Sequence, residues 1–137
     1  MCTPLRLHSR LALGPVAAIV VSAALTACNP APPAAPAVSF RNDVAPIIAK
    51  HCVGCHVPGK PGTEASGFVV DSYAALMKGT KFGPVVLPGD PVSSTLIILV
   101  ERRADPSINM PHGQGDRLSA AEIATLRAWV QQGAKND

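Results

Sequence analysis

Residues 52 to 56 read Cys-Val-Gly-Cys-His, the one run in the chain where residue types and spacing point to a defined chemistry. C-x-x-C-H is the attachment signature of c-type haem. Two thiols three positions apart share one face of a helical turn. From there they can form thioethers with the two vinyl groups on one porphyrin edge. The adjacent imidazole then faces the iron as proximal ligand. Cys52 and Cys55 are therefore expected to hold a haem c covalently, with His56 on its metal. Two other chemistries use C-x-x-C. A thioredoxin-like dithiol wants a βαβ pattern around it, and a zinc site normally wants a second Cys/His pair. Neither accompanies this motif.

The N-terminal stretch carries Arg6, His8 and Arg10 and no acid, then an uncharged run of small and apolar residues from Leu11 to Ala27. This is the layout of a signal peptide. As a spanning helix it would stand at the lower edge of the ~17–25 residues required, and Gly14, Pro15 and Ser22 weaken it further. The run ends Leu25-Thr26-Ala27-Cys28, which resembles the bacterial lipoprotein signal. The resemblance implies cleavage before Cys28 and lipid on its sulfur, with more than one acyl chain, as stable anchoring requires. Asn29, where an aspartate would favour the inner membrane, turns the expectation toward the outer one. The cysteines are then accounted for. Cys2 leaves with residues 1–27, Cys28 takes lipid, Cys52 and Cys55 take haem, and none remains for a disulfide.

Residues 28–38 form a linker of Pro and Ala without charge. Such a stretch cannot bury a core and extends as polyproline II, at ~3.1 Å per residue a reach of up to ~30 Å. The globular part is residues 39–137, enough for one small domain. Of twelve basic residues only Arg6 and Arg10 lie in the leader, so ten face nine acids. That balance, with no basic stripe, argues against nucleic acid as a partner. Aromatics are few: Phe40, Phe68, Tyr73, Phe82 and Trp129. Small domains bury a smaller share of their surface, and a haem would add a flat apolar centre.

The apolar period is helical throughout. A first helix is expected from Asp43 to Cys52, with Asp43 as cap, Pro46 in the first turn and Val44, Ile47 and Ile48 inward. A Gly/Pro-rich loop follows, from Pro58 to Gly67. Asp71 or Ser72 caps a short helix through Lys78, which Gly79 ends and in which Tyr73, Leu76 and Met77 are core. Asp90 caps the next, with Pro91 at its first position and Leu96, Ile97, Leu99 and Val100 inward, to about Arg103. Ser119-Ala120-Ala121-Glu122 is a capping box opening a last helix that buries Ile123, Leu126, Trp129 and Val130 and stops at Gly133. The fold class is all-α, about four helices, with no strand.

Taken together the pieces resemble a class I cytochrome c domain, and more closely the planctomycete-type cytochrome c family. They are Phe40-x-x-Asp43-Val44-x-Pro46-Ile47, Cys52-x-x-Cys55-His56, Asp71-Ser72-Tyr73, Val86-x-Pro88-Gly89-Asp90-Pro91, Met110-Pro111, Leu118-Ser119 and Trp129-Val130-x-x-Gly133-Ala134. The resemblance implies a first and a last helix packed across each other, one haem in a crevice, and Met110 as sixth ligand. Elimination agrees, because Met1 is removed and Met77 has core spacing. A thioether raises the potential relative to a second imidazole. His112, two residues on, departs from the family pattern; it either competes for iron or faces solvent or a propionate. His51 reads as a surface residue. Lys50, Lys60, Lys78 and Lys81 either ring a haem edge and steer an acidic partner or form a solvated face. The carbonyl that orients His56 is expected from Pro58–Gly62 or from Gly83-Pro84.

With both axial positions filled, the expected function is one-electron transfer in the bacterial cell envelope rather than catalysis. The expected partners are redox proteins, plus the membrane through Cys28. Two alternatives stand beside it: an electron-transfer subunit of a larger oxidoreductase, and a small haem peroxidase or gas-binding protein with a labile sixth ligand.

Overall fold

The computed structural model describes residues 35–112 and 117–137. The expected signal peptide, Cys28 and the linker as far as residue 34 lie outside the described residues.

Ser39 opens the first helical segment. Its hydroxyl accepts from the Asn42 N–H at 3.2 Å, while the Asp43 carboxylate accepts from the Ser39 N–H at 2.8 Å. The reciprocal pair satisfies amides that a helix start would otherwise leave unpaired. One π-helical turn, Phe40–Val44, runs directly into helix α1, Ala45–His51. Pro46 falls in the first turn of α1, as expected. The start itself is earlier than expected: Ser39 is the cap, and Asp43 is its reciprocal partner.

Helix α2, Pro61–Ser66, lies inside the stretch read as loop. Its brackets are Pro61 at the first position and Gly67 behind it at φ 74°. It buries no residue, so no apolar period announces it. Helix α3, Tyr73–Lys78, is capped by Ser72, whose hydroxyl accepts from the Ala75 N–H. Helix α4 is Thr95–Val100, shorter at both ends than expected. The Asp90 carboxylate accepts from the Val92 and Ser93 amides, which makes a turn rather than a helix start. The fully buried Ser94 hydroxyl donates to the Asp90 carbonyl at 2.7 Å and accepts from the Leu87 N–H at 2.8 Å, and the helix begins after it. Helix α5, Ala120–Gln131, has the expected capping box, and Gly133 follows its end at φ 98°. The described residues are thus all-α, with five helices instead of about four and no strand beyond an isolated Thr80–Gly83 bridge.

The core gathers most of the expected apolar faces: Val44, Ile47 and Ile48, then Leu76, then Leu96, Ile97 and Val100, then Leu126, Trp129 and Val130, while Leu99, expected inward, is only half-buried and stands outside it. Tyr73, Met77 and Ile123 pack against it half-buried. Loop residues fill the rest, namely Phe68, Val70, Val85, Val86 and Leu118. Phe40, Tyr73 and Trp129 meet with ring centroids 5.1, 5.6 and 6.5 Å apart, joining the π turn, α3 and α5. The chain end closes over this cluster. Trp129 Nε1 donates to the Lys135 carbonyl and the Tyr73 hydroxyl to the Ala134 carbonyl.

The end of α1 is tied to the start of α5 by one carboxylate. Glu122 Oε1 accepts from Lys50 Nζ at 3.0 Å and lies 3.1 Å from His51 Nε2, while Oε2 accepts from the Ser119 N–H and hydroxyl. His51 is therefore no surface residue; its side chain is 3 % exposed. The Ser119 amide, then Lys50 and His51, hold the Glu122 carboxyl well below its ordinary value of 4.5. A depressed carboxyl adds stability above its unfolded-state pKa and loses it as pH falls further. The melting temperature should accordingly drop as pH is lowered below about 4.5, and Glu122→Gln should flatten that acid limb while lowering the melting temperature at neutral pH. Thermal melts across the acid range check this; an unchanged limb would contradict it.

Candidate haem-binding site

The C-x-x-C-H run leaves α1 as a turn. Cys52 is the residue after the helix, and its carbonyl accepts from both the Cys55 and His56 amides, at 3.1 and 3.0 Å. The following segment folds back over it. The Thr63 N–H donates to the Cys55 carbonyl and the Val70 N–H to the His56 carbonyl. Every backbone acceptor of the three reactive residues is thus paired, so the turn is fixed from both sides.

Both thiols are free. Cys55 is exposed, and Cys52 is half-buried against the core. Burial pushes the Cys52 thiol up to about 11. A catalytic dithiol needs the opposite shift, because the thiolate is the nucleophile. Among the described residues no group of three or more His, Cys, Asp or Glu side chains is placed to hold a metal ion, whereas structural zinc takes four such ligands.

His56 is 9 % exposed, and Phe68 meets its ring edge-on at 5.3 Å. Nδ1 is buried without a hydrogen-bond partner. Gly62 on α2 is why the ring fits: a Cβ there would stand 2.7 Å from the Cys55 carbonyl oxygen, 2.8 Å from His56 Cε1 and 3.0 Å from Nδ1. Burial lowers the proton affinity of His56; the Phe68 backbone acts against this and the charge of His112 with it. The imidazole is therefore neutral at neutral pH, the form that ligates metals. The surroundings of His56 come from α2 and Phe68. Neither expected loop supplies a carbonyl to its ring: Nδ1 has no hydrogen-bond partner, and Gly83 closes a turn with Thr80.

Gly62→Ala should cost about 1–3 kcal/mol through this overlap and disturb the ring of His56. Gly54→Ala is the control, since nothing lies within 4 Å of a Cβ there. Melting curves and the haem spectrum of both variants check the pair; equal behaviour would show that the contact carries no weight.

Met110 is half-buried and its N–H donates to the Leu99 carbonyl at 3.2 Å. Before it, Asn109 is 3 % exposed and clamps its loop, with Oδ1 accepting from the Ala104 N–H at 3.2 Å and Nδ2 donating to the Ala104 carbonyl at 3.1 Å. Sequence reasoning missed Asn109; an Asn four residues after an Asp-Pro turn was the available signal. His112 is exposed, and its charge is the smallest of the effects that act on His56. Of the four lysines, Lys50 pairs with Glu122, Lys81 lies 5.2 Å over the Phe82 ring, and Lys60 and Lys78 are exposed. An apolar hollow of about 380 Å³ borders the motif only through Val53 and Val57; none of Cys52, Cys55, His56 or Met110 lines it.

Residues 52–113 match the family described as Planctomycete cytochrome C. The span opens on Cys52 and closes just beyond Met110-Pro111, so it contains all four residues expected to hold haem. The planctomycete-type recognition drawn from the motifs holds over that span, and the family is one of c-type cytochromes. The curated proteins and the solved structures give no match.

Proposed function

We propose that this chain is a monohaem c-type cytochrome of class I type that carries single electrons on the periplasmic side of the cell envelope, anchored by lipid on Cys28. The observation that carries the reading is the turn after α1: two free thiols one turn apart, followed by a buried imidazole wedged between Gly62 and Phe68. Haem bound there supplies an iron that alternates between the ferric and ferrous states. Cys52 and Cys55 would hold the macrocycle through thioethers. His56 would offer Nε2 to the metal, since its Nδ1 edge is turned into α2. Met110, its backbone held by the Leu99 carbonyl and its loop by the Asn109 clamp, would be the second protein ligand. With both ligands supplied by the protein no position would remain for substrate, which favours a carrier over a peroxidase or gas-binding protein.

The test is the reactivity of the reduced wild-type protein. It should bind carbon monoxide poorly and turn over peroxide negligibly. Rapid binding would place an open sixth site in the protein and favour the enzyme reading. The anchor is tested separately: Cys28→Ser should move the protein from the membrane fraction to the soluble one with haem retained. A variant that stays with membranes through high-salt washing would refute the lipid anchor.

A further inference from the structure

Arg102 follows the end of α4 in a left-handed conformation, φ 59°, that closes the helix: its N–H donates to the Leu99 carbonyl and that of Arg103 to the Ile98 carbonyl. One feature of its side chain the fold does not explain. Its Nη1 is buried and has no hydrogen-bond partner. Buried guanidinium donors are normally paired, because leaving one unmade forfeits its hydration. The nearby acids are already engaged. Glu101 takes Arg127 on Oε1 at 2.7 Å and Arg103 on Oε2 at 2.6 Å, and Asp105 accepts from the Ser107 N–H and hydroxyl. Among the described residues the other buried side-chain nitrogen without a partner is Nδ1 of His56. Arg102 also sits beside the other expected axial ligand: the Leu99 carbonyl accepts from the Arg102 N–H at 3.1 Å and from the Met110 N–H at 3.2 Å.

We propose that Arg102 pairs with a propionate carboxylate of the haem. The assignment rests on the haem reading above. Among the described residues the neighbouring acids are taken, an anion is the partner that suits a guanidinium best, and the position lies next to Met110. A haem brings two carboxylates to that neighbourhood, and a guanidinium fork matches a carboxylate better than any other side chain does.

The pair has a measurable consequence. An unpaired propionate favours the ferric state through its negative charge; pairing with Arg102 removes much of that bias. In Arg102→Gln the ferrous-to-ferric ratio at a fixed electrode potential should fall about tenfold near pH 8, or ~59 mV for one electron. The gap to wild type should close in acid, as the unpaired propionate takes up a proton. The neighbouring acids keep their partners in both proteins, Glu101 with Arg103 and Arg127 and Asp105 with Ser107. Arg103→Gln removes the same charge one residue away and should not reproduce the widening gap; Arg102→Lys keeps the charge and should stay close to wild type. The experiment is potentiometric titration of purified holoprotein from pH 5 to 9, with covalent haem first verified. Curves that coincide, or that run parallel at every pH, would overturn the assignment by showing a structural or merely through-space role. If Arg102→Gln does not accumulate, redox-difference infrared spectra of Arg102→Lys take its place: a shifted propionate band supports the pair and an unshifted one overturns it. Wild type lacking covalent haem would refute the haem reading itself, and this assignment with it.

Discussion

Met110→Ala should open the sixth coordination position. Its ferrous form should bind carbon monoxide rapidly where wild type does not, and its ferric form should become high-spin. Met110→His should stay low-spin but lower the midpoint potential by on the order of a hundred millivolts or more, because imidazole stabilises ferrous iron less than a thioether does. The neighbouring structure makes these clean substitutions. The backbone at Met110 is fixed by its bond to the Leu99 carbonyl, and its loop by the Asn109–Ala104 pair, so the side chain changes while the loop stays. Met77→Leu is the control. Met77 lies half-buried on α3 against the core, and its replacement should alter neither spectrum nor potential. Carbon monoxide kinetics and potentiometry read all three variants. A Met110→Ala protein indistinguishable from wild type would assign the ligand elsewhere, with His112 the first residue to test.

Replacing both thiols should have the other large effect. Cys52→Ala/Cys55→Ala should yield a chain without covalent haem and without a cooperative thermal transition. The polypeptide has an aromatic centre of its own in Phe40, Tyr73 and Trp129, but that cluster joins the π turn, α3 and α5. Around the motif the packing is thinner. Helix α2 buries nothing, and Phe82 is 82 % exposed. Without haem this half would depend on a few loop contacts. Calorimetry of the double variant decides: a sharp, native-like transition would show that the apolar core suffices and that the cofactor's structural share is small.

The sequence was legible where local chemistry and packing agree. The capping box at Ser119 and Glu122, the Ser72 cap and the inward faces of α1, α4 and α5 all follow from side chains that act within one turn or at helical spacing. It was less legible where a feature depends on distant partners. His51 reads as exposed until α5 brings Glu122 to it. Helix α2 has no apolar face to betray it, although Pro61 and Gly67 mark its two ends. Asp90 looks like a helix cap, but Ser94 takes that place because its hydroxyl bonds the turn before it. For the site, the C-x-x-C-H run and Met110 could be named from spacing and resemblance. The glycine that makes room for the His56 ring, the Asn109 clamp and the unpaired Arg102 nitrogen required coordinates.

Whether His56 and Met110 both hold one haem decides between carrier and enzyme. The most direct measurement is the absorption spectrum of the purified ferric protein. A low-spin spectrum with the weak long-wavelength charge-transfer band of a methionine sulfur on ferric haem is predicted, and that band should disappear in Met110→His. A high-spin ferric spectrum without the band, or a band that survives in Met110→His, would contradict it.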